Sequence, residues 1–286
     1  MVVQICAFSA VRFWRGLSKA PPTAWFGLVV ILLYVMVAST APIIAPFSET
    51  QIVGSAYEPW GEQFLLGTDN LGRDWLTRLI YGARNTIGIA FVTTCLAFLI
   101  GAVVGFMAAA LGGWLDLIIG RIVDVLMAIP SLIFALLILT ILGTSIPVLI
   151  VVIAVLDSTR VFRLARAVGM NIVVMDYVEV ARLRGEGLWW VISREVLPNA
   201  MPPLVAEFGL RFCFVFLFLS ALSFLGLGIQ PPTADWGSMV RDNATLITFG
   251  DITPLLPAAA IALLTVSVNF VVDWFLQQTS GLRDEH

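Results

Sequence analysis

Lysine and histidine are almost missing from this sequence: Lys19 is its one lysine and His286 its one histidine. A Gly-Lys-Ser/Thr phosphate loop needs a lysine in a glycine-rich turn, and Lys19 lies between serine and alanine, so the chain has no such loop. The same scarcity excludes a histidine-based zinc site and a Ser-His-Asp triad. Cysteine is also rare: Cys6, Cys95 and Cys213 stand far apart, which gives neither a disulfide framework nor a metal cage. Only 12% of residues are charged, with a net charge of −3. No basic stripe with interleaved aromatics tracks phosphates, so no nucleic acid is expected as a partner. No Gly-x-Ser-x-Gly elbow appears either, and a membrane-embedded hydrolase is the least supported reading.

Apolar residues, in contrast, make up 59% of the 286 positions. No single soluble core can hide that much apolar surface, so the chain is an integral membrane protein. Apolar runs long enough to cross a bilayer fall at about 26–45, 86–111, 115–142, 146–164, 204–227 and 255–276. The fold class expected is all-α, with six transmembrane helices and both termini in the cytoplasm. The segment 1–25 is read as a cytoplasmic lead-in and 26–286 as one membrane domain, because neither internal repeat nor linker divides it. Arg12, Arg15 and Lys19 precede the first run and hold its start inside. The sequence Ala38-Ser39-Thr40-Ala41 is loosely cleavage-like, but the run is too long for a signal peptide and is expected to stay as a span.

Several polar features interrupt the apolar pattern. Gly101 and Gly105 stand four apart and allow close helix contact. Arg121 and Asp124 are placed to pair, Pro130 to bend its helix, and Glu207 to pair with Arg211 one turn on. The fourth span continues past Leu156 through Asp157, Arg160, Arg163 and Arg166 on a helix leaving the membrane. Between about 175 and 198, the pattern reads helix, glycine break, helix, proline stop. Leu183, Leu188, Val191 and Ile192 supply apolar faces, Gly185 and Gly187 the reversal, and Pro198 the end. At the other side, Asp69 or Asn70 is suited to cap a short amphipathic helix carrying Trp75, Leu76, Leu79 and Ile80, lying at the outer surface.

The 177–198 stretch resembles the EAA motif of bacterial ABC-type importer permeases: Glu179, Ala181, Gly185, Val196, Leu197 and Pro198 fit its spacing, with Val180 where alanine is usual. Residues 66–84, with Asp69, Asn70, Gly72, Arg73 and Asp74, resemble the GTDxxGRD block of the dipeptide, oligopeptide and nickel branch. Asp124 to Pro130 is similar to that family's D…AIP segment, and Leu225 to Gly237, with Trp236, to its LGLG…PP…WG signature. The resemblance implies a C-type permease subunit of an ATP-driven importer in the bacterial inner membrane, with peptides or a related small solute as cargo. It implies a heterodimer with a homologous second permease, two ATP-binding subunits, and a periplasmic or lipid-anchored substrate-binding protein. ATP and Mg would sit on the partner subunits, and this chain would hold no cofactor or metal and carry no catalytic residue. In the hairpin, Glu179 is then a charged or capping contact, Ala181 a close approach and Gly185 the turn. Leu188, Trp189 and Trp190 form the apolar contact with the ATPase. The 236–237 pair either meets the binding protein or lines the outer gate, whereas its bland reading is an interfacial anchor. A competing function is an ion-coupled secondary transporter using Asp124, Glu207 and Asp273 as relays.

Overall fold

A computed structural model describes residues 20–280. Most of the lead-in segment 1–25, with Arg12, Arg15 and Lys19, and the C-terminal His286 lie outside the described residues. The architecture is helical: α1 (Pro22–Ile44), α2 (Trp75–Leu111), α3 (Gly113–Ala128), α4 (Ser131–Leu142), α5 (Ile146–Val173), α6 (Asp176–Leu183), α7 (Leu188–Val191), α8 (Leu197–Phe224), α9 (Trp236–Asn243) and α10 (Leu255–Ser280). Among the described residues four helices are long and apolar enough to cross a membrane, α1, α2, the α7–α8 unit and α10, and a fifth span results if the bent α3–α4 pair crosses as one. That differs from the six expected. The α5 helix is long, but Asp157, Arg160, Arg163 and Arg166 fill its second half, so composition alone does not mark it as a span.

The α2 and α5 helices form the centre of the bundle. A β-carbon at Gly101 would lie 2.6 Å from the Ser158 carbonyl oxygen, and one at Gly105 2.8 Å from that of Phe162. The glycine pair therefore does what its spacing suggested: it lets two backbones touch along a seam that larger residues would hold apart. The α8 helix packs on both, α1 and α10 pair with each other and flank α2 and α8, and α4 lies on α5. The main apolar core runs through this contact, with Leu149, Ile153, Phe216, Leu219, Leu222 and Trp236 buried together.

Pro130 has a larger effect than a bend. The helix stops at Ala128, restarts at Ser131 and turns through 90°, because proline removes a donor and disfavours helical backbone in the preceding residue, Ile129. Pro198, by contrast, stops nothing. The helix from Leu188 continues through a π-helical turn, Ile192–Val196, into α8. The Leu197 amide there donates to the Ile192 carbonyl, five residues back. Pro198 sits in the first turn of α8, where its missing N–H is least costly, and the widened turn absorbs the register change.

Two expectations at the opposite end of the bundle also change. Asp74, not Asp69 or Asn70, caps α2, accepting the Thr77 amide at 2.7 Å. The stretch from Trp75 is not a separate surface helix, since α2 runs unbroken from Trp75 to Leu111 with Trp75, Thr77 and Arg78 buried. Trp75 is buried in the main core and Leu79 packs against it, while Leu76 and Ile80 are partly exposed.

Candidate functional site

The α6–α7 hairpin stands at the end of the bundle where α2 finishes and α5 leaves. Its turn is built from backbone. The Gly185 amide donates to the Arg182 carbonyl at 2.9 Å and the Glu186 amide to the Ala181 carbonyl at 3.2 Å. This paired cap requires a left-handed residue at its pivot, and Gly185 has φ of +81°. Val178, Ala181, Val191, Ile192 and Val196 are buried in a second apolar core with Phe106, Ala165 and Ile172 of α2 and α5. The Arg182 guanidinium donates to the Ala110 carbonyl in the last turn of α2 at 3.1 Å, where a helix C-terminus favours a cation. The hairpin is thus fastened by its inner face to two central helices.

The outer face is open. Leu183 is 80% exposed, Trp189 64% and Val180 51%. Glu179 is exposed and without an ion-pair partner among the described residues. Leu188 and Trp190 turn partly inward against the second core, with the Arg184 guanidinium over the Trp190 ring at 5.8 Å. Ala181 is wholly buried, so its small side chain serves close packing within the chain. Around Gly185 and Gly187 nothing lies within 4 Å of an added β-carbon. Pro198 is exposed at the root of α8.

At the far end, Asp69 is the hub of the 45–74 segment. Its carboxylate accepts from the Leu71 and Arg73 amides at 2.9 Å, from the Arg73 Nε at 2.7 Å, and pairs with Arg78 Nε at 3.3 Å. Gly72, with φ of +73°, comes so close to the Gly54 carbonyl that no β-carbon fits, and Asn70 lies partly buried in the same turn. Trp236 is also inside the protein: its indole N–H donates to the Leu79 carbonyl at 3.0 Å, and its ring meets Tyr34 and Phe216 edge-on. A β-carbon at Gly237 would strike the Ser220 carbonyl. The buried Asp235 caps α9 through the Ser238 amide at 2.8 Å and accepts the Thr86 hydroxyl at 3.0 Å. Burial there raises its pKa above the usual carboxylate range. These motif residues join α1, α2, α8 and α9 to each other, and Trp236 does not anchor at a lipid surface.

Two groups of charges lie between these ends. Arg121 and Asp124 do not pair with each other among the described residues; both line an open cavity of about 460 Å³ between α3 and α5. The ion pair at that cavity is Asp116 with Arg166, whose Nη2 lies 2.6 Å from Oδ2. An exposed i, i+3 pair gains little by forming. Glu207 and Arg211 do pair, at 2.7 Å, and Arg211 also reaches Asp157 of α5 at 3.4 Å. Sequence spacing could not give that second contact, which joins separate helices. The three acids of the ion-relay reading are dispersed: Asp124 on α3, Glu207 paired on α8, and Asp273 exposed on α10.

Comparison with known proteins bears on this arrangement. A family model described as a binding-protein-dependent transport system inner membrane component matches residues 101–279. The chain is 32% identical to a dipeptide transport system permease protein of Alkalihalophilus pseudofirmus, over 97% of this chain and 90% of the relative. It is 35% identical to a di/tripeptide transport system permease protein of Pseudomonas aeruginosa, over 96% and 90%. A glutathione transport system permease protein of Pectobacterium atrosepticum is 29% identical over 96% and 89%. Among solved structures, an amino acid ABC transporter crystallised with histidines is similar in fold, with a TM-score of 0.53 at 19% identity, covering 71% of this chain and 95% of that one.

Proposed function

The chain belongs to the family of binding-protein-dependent transport inner membrane components and is a permease subunit of an ABC importer, and from that premise we propose that its α6–α7 hairpin is the part driven by separate ATPase subunits. The observation that carries this reading is the division of the hairpin into two faces. One face is fixed in the core against α2 and α5, and the other presents Val180, Leu183 and Trp189 to the surroundings. Apolar side chains left exposed together at the tip of a hairpin mark a contact surface.

Because α5 enters the hairpin and the α7–α8 unit leaves it, a displacement of the hairpin moves two helices of the bundle without a flexible linker between. Nucleotide-dependent closure of the ATPases would bring this hairpin and that of a homologous second permease together. The bundle would then rock between inward- and outward-facing forms. Such coupling requires that the docked states differ in free energy between nucleotide conditions. In this reading the hairpin and both termini are cytoplasmic, and ATP and Mg are held by the partners. The end of the bundle that Asp69 and Trp236 hold together from inside faces a substrate-binding protein outside. Arg73 and Arg78, positive charges on that outer side, share the one carboxylate of Asp69, which offsets one of the two charges that oppose the topology. Peptides are the cargo class that the relatives' names favour.

Glu179→Lys tests the reading. The variant should fold and insert, while a pull-down from detergent recovers less of the ATPase subunits and ATP-dependent peptide uptake by reconstituted vesicles falls. Full recovery and full uptake would remove the hairpin from the coupling path.

A further inference from the structure

Charge in one corner of the bundle is sharply divided. Neither α4 nor residues 146–156 of α5 contain a charged side chain, whereas α3 carries Asp116, Arg121 and Asp124, and α5 is charged from Asp157 onward. The α3 helix turns 90° from α4, which lies on α5, and so it crosses the end of this apolar pair. It meets α5 at Phe162, within the polar stretch that leads to the hairpin. A helix lying across the end of apolar segments, where their charges begin, is placed at the level of a membrane's headgroups.

The faces of α3 suit that place. Val123 buries one face against Ala108 of α2 and Phe162 of α5. On the opposite side Trp114, Ile118, Ile122 and Val125 share an arc of ~80°, with Trp114 74% exposed and Val125 64%. Arg121 stands on the edge of this stripe, facing the cavity of about 460 Å³ between α3 and α5, a volume usual for small-molecule sites (about 300–1,000 Å³). Of the charges around that cavity, Asp116 and Arg166 neutralise each other. Arg121 and Asp124 have no ion-pair or hydrogen-bond partner among the described residues, and Arg163 has only the Met127 thioether at 3.7 Å, a weak uncharged acceptor. Two guanidiniums and one carboxylate remain, a single net positive charge beside an exposed apolar strip.

We propose that this cavity seats the headgroup of a singly charged phosphoglycerol lipid from the adjoining leaflet, the inner one when the hairpin is cytoplasmic. Arg121 and Arg163 share its phosphate, the glycerol hydroxyls donate to Asp124, and the acyl chains lie over the stripe from Trp114 to Val125. Basic recesses between membrane helices recognise anionic headgroups by such charge-assisted contacts. A choline headgroup, in contrast, offers Asp124 no donor and brings no net charge to offset the second guanidinium. The bound phosphate ties α3 to the helix that enters the hairpin.

The test uses the assembled transporter, with second permease and ATPases, purified in detergent and stripped of lipid. It is titrated with phosphatidylglycerol, phosphatidylcholine or free glycerol phosphate, and bound molecules are counted by native mass spectrometry. One phosphatidylglycerol should bind at least tenfold more tightly than phosphatidylcholine, and Arg121→Gln combined with Arg163→Gln should abolish the preference. Gly120 lines the cavity and a β-carbon there meets nothing within 4 Å, so Gly120→Leu should fill the space and weaken binding at least tenfold with an unchanged melting temperature. Equal binding of the two lipids, or a preference kept by the double variant, overturns the site. Glycerol phosphate binding as tightly as the whole lipid overturns it in favour of a soluble anion, and loss of the second permease from the double variant overturns it in favour of a subunit contact. No arm of the experiment reads ATP hydrolysis or uptake, so its outcome is separate from the hairpin's role.

Discussion

Replacing Trp189 by alanine separates what the hairpin does for its own chain from what it does for a partner. The side chain is 64% exposed. A tryptophan offers about 200 Å² for burial, so roughly 130 Å² remains to be covered on docking; at ~25 cal/mol per Å² that contributes about 3 kcal/mol. Ordering losses at an interface reduce the figure, and a tryptophan anchor commonly contributes about 2 kcal/mol or more. A loss of ~2–3 kcal/mol weakens association about 30- to 150-fold. In the isolated permease the same truncation removes little buried contact, and stability should change by no more than about 0.5 kcal/mol. The assay is a titration of fluorescently labelled ATPase subunits onto the permease pair in nanodiscs, together with thermal unfolding of the permease alone. An affinity within threefold of wild type would refute the docking role, as would a stability loss of the same size as the affinity loss.

Gly185→Ala should cost about 1 kcal/mol locally because its φ of +81° is left-handed, whereas Gly187→Ala, at −71°, should be near neutral by thermal unfolding. A β-carbon at either glycine meets nothing within 4 Å, so tryptophan variants should insert normally and lose ATP-driven uptake; normal uptake by Gly187→Trp would contradict the docking surface. Asp69→Asn strips the buried Arg73 and Arg78 of their carboxylate. It should destabilise the protein by about 3–5 kcal/mol, seen as a lower melting temperature in detergent. Gly101→Leu drives a side chain into the Ser158 backbone and should cost at least about 1–3 kcal/mol. A melting temperature equal to wild type would show that α2 and α5 are not held at that seam.

Local rules made much of this protein readable from its residues. Hydrophobic runs locate α1, α2, α8 and α10, the glycine pair at 101 and 105 marks a close crossing, and Pro130 marks a break. The Glu207–Arg211 pair follows from spacing of one helical turn. The hairpin was legible because its turn needs a left-handed pivot and glycine supplies one. Where local rules failed, a tertiary contact had taken precedence. Pro198 is carried by a π-turn inside a continuous helix, Trp75 and Trp236 are covered by segments distant in sequence, and Arg121 and Asp124 remain apart while Arg166 engages Asp116.

The sequence by itself determined a helical membrane protein, the place of its hairpin and, through the order of its motifs, its family, because apolar run length and glycine or proline geometry act over a few residues. Only the tertiary structure decided which face of the hairpin is spent inside the chain, that Asp69 and Trp236 are internal fastenings, and that Asp157 meets Arg211. Those outcomes depend on which helices lie side by side, and burial and ion pairing between helices carry no fixed spacing along the chain.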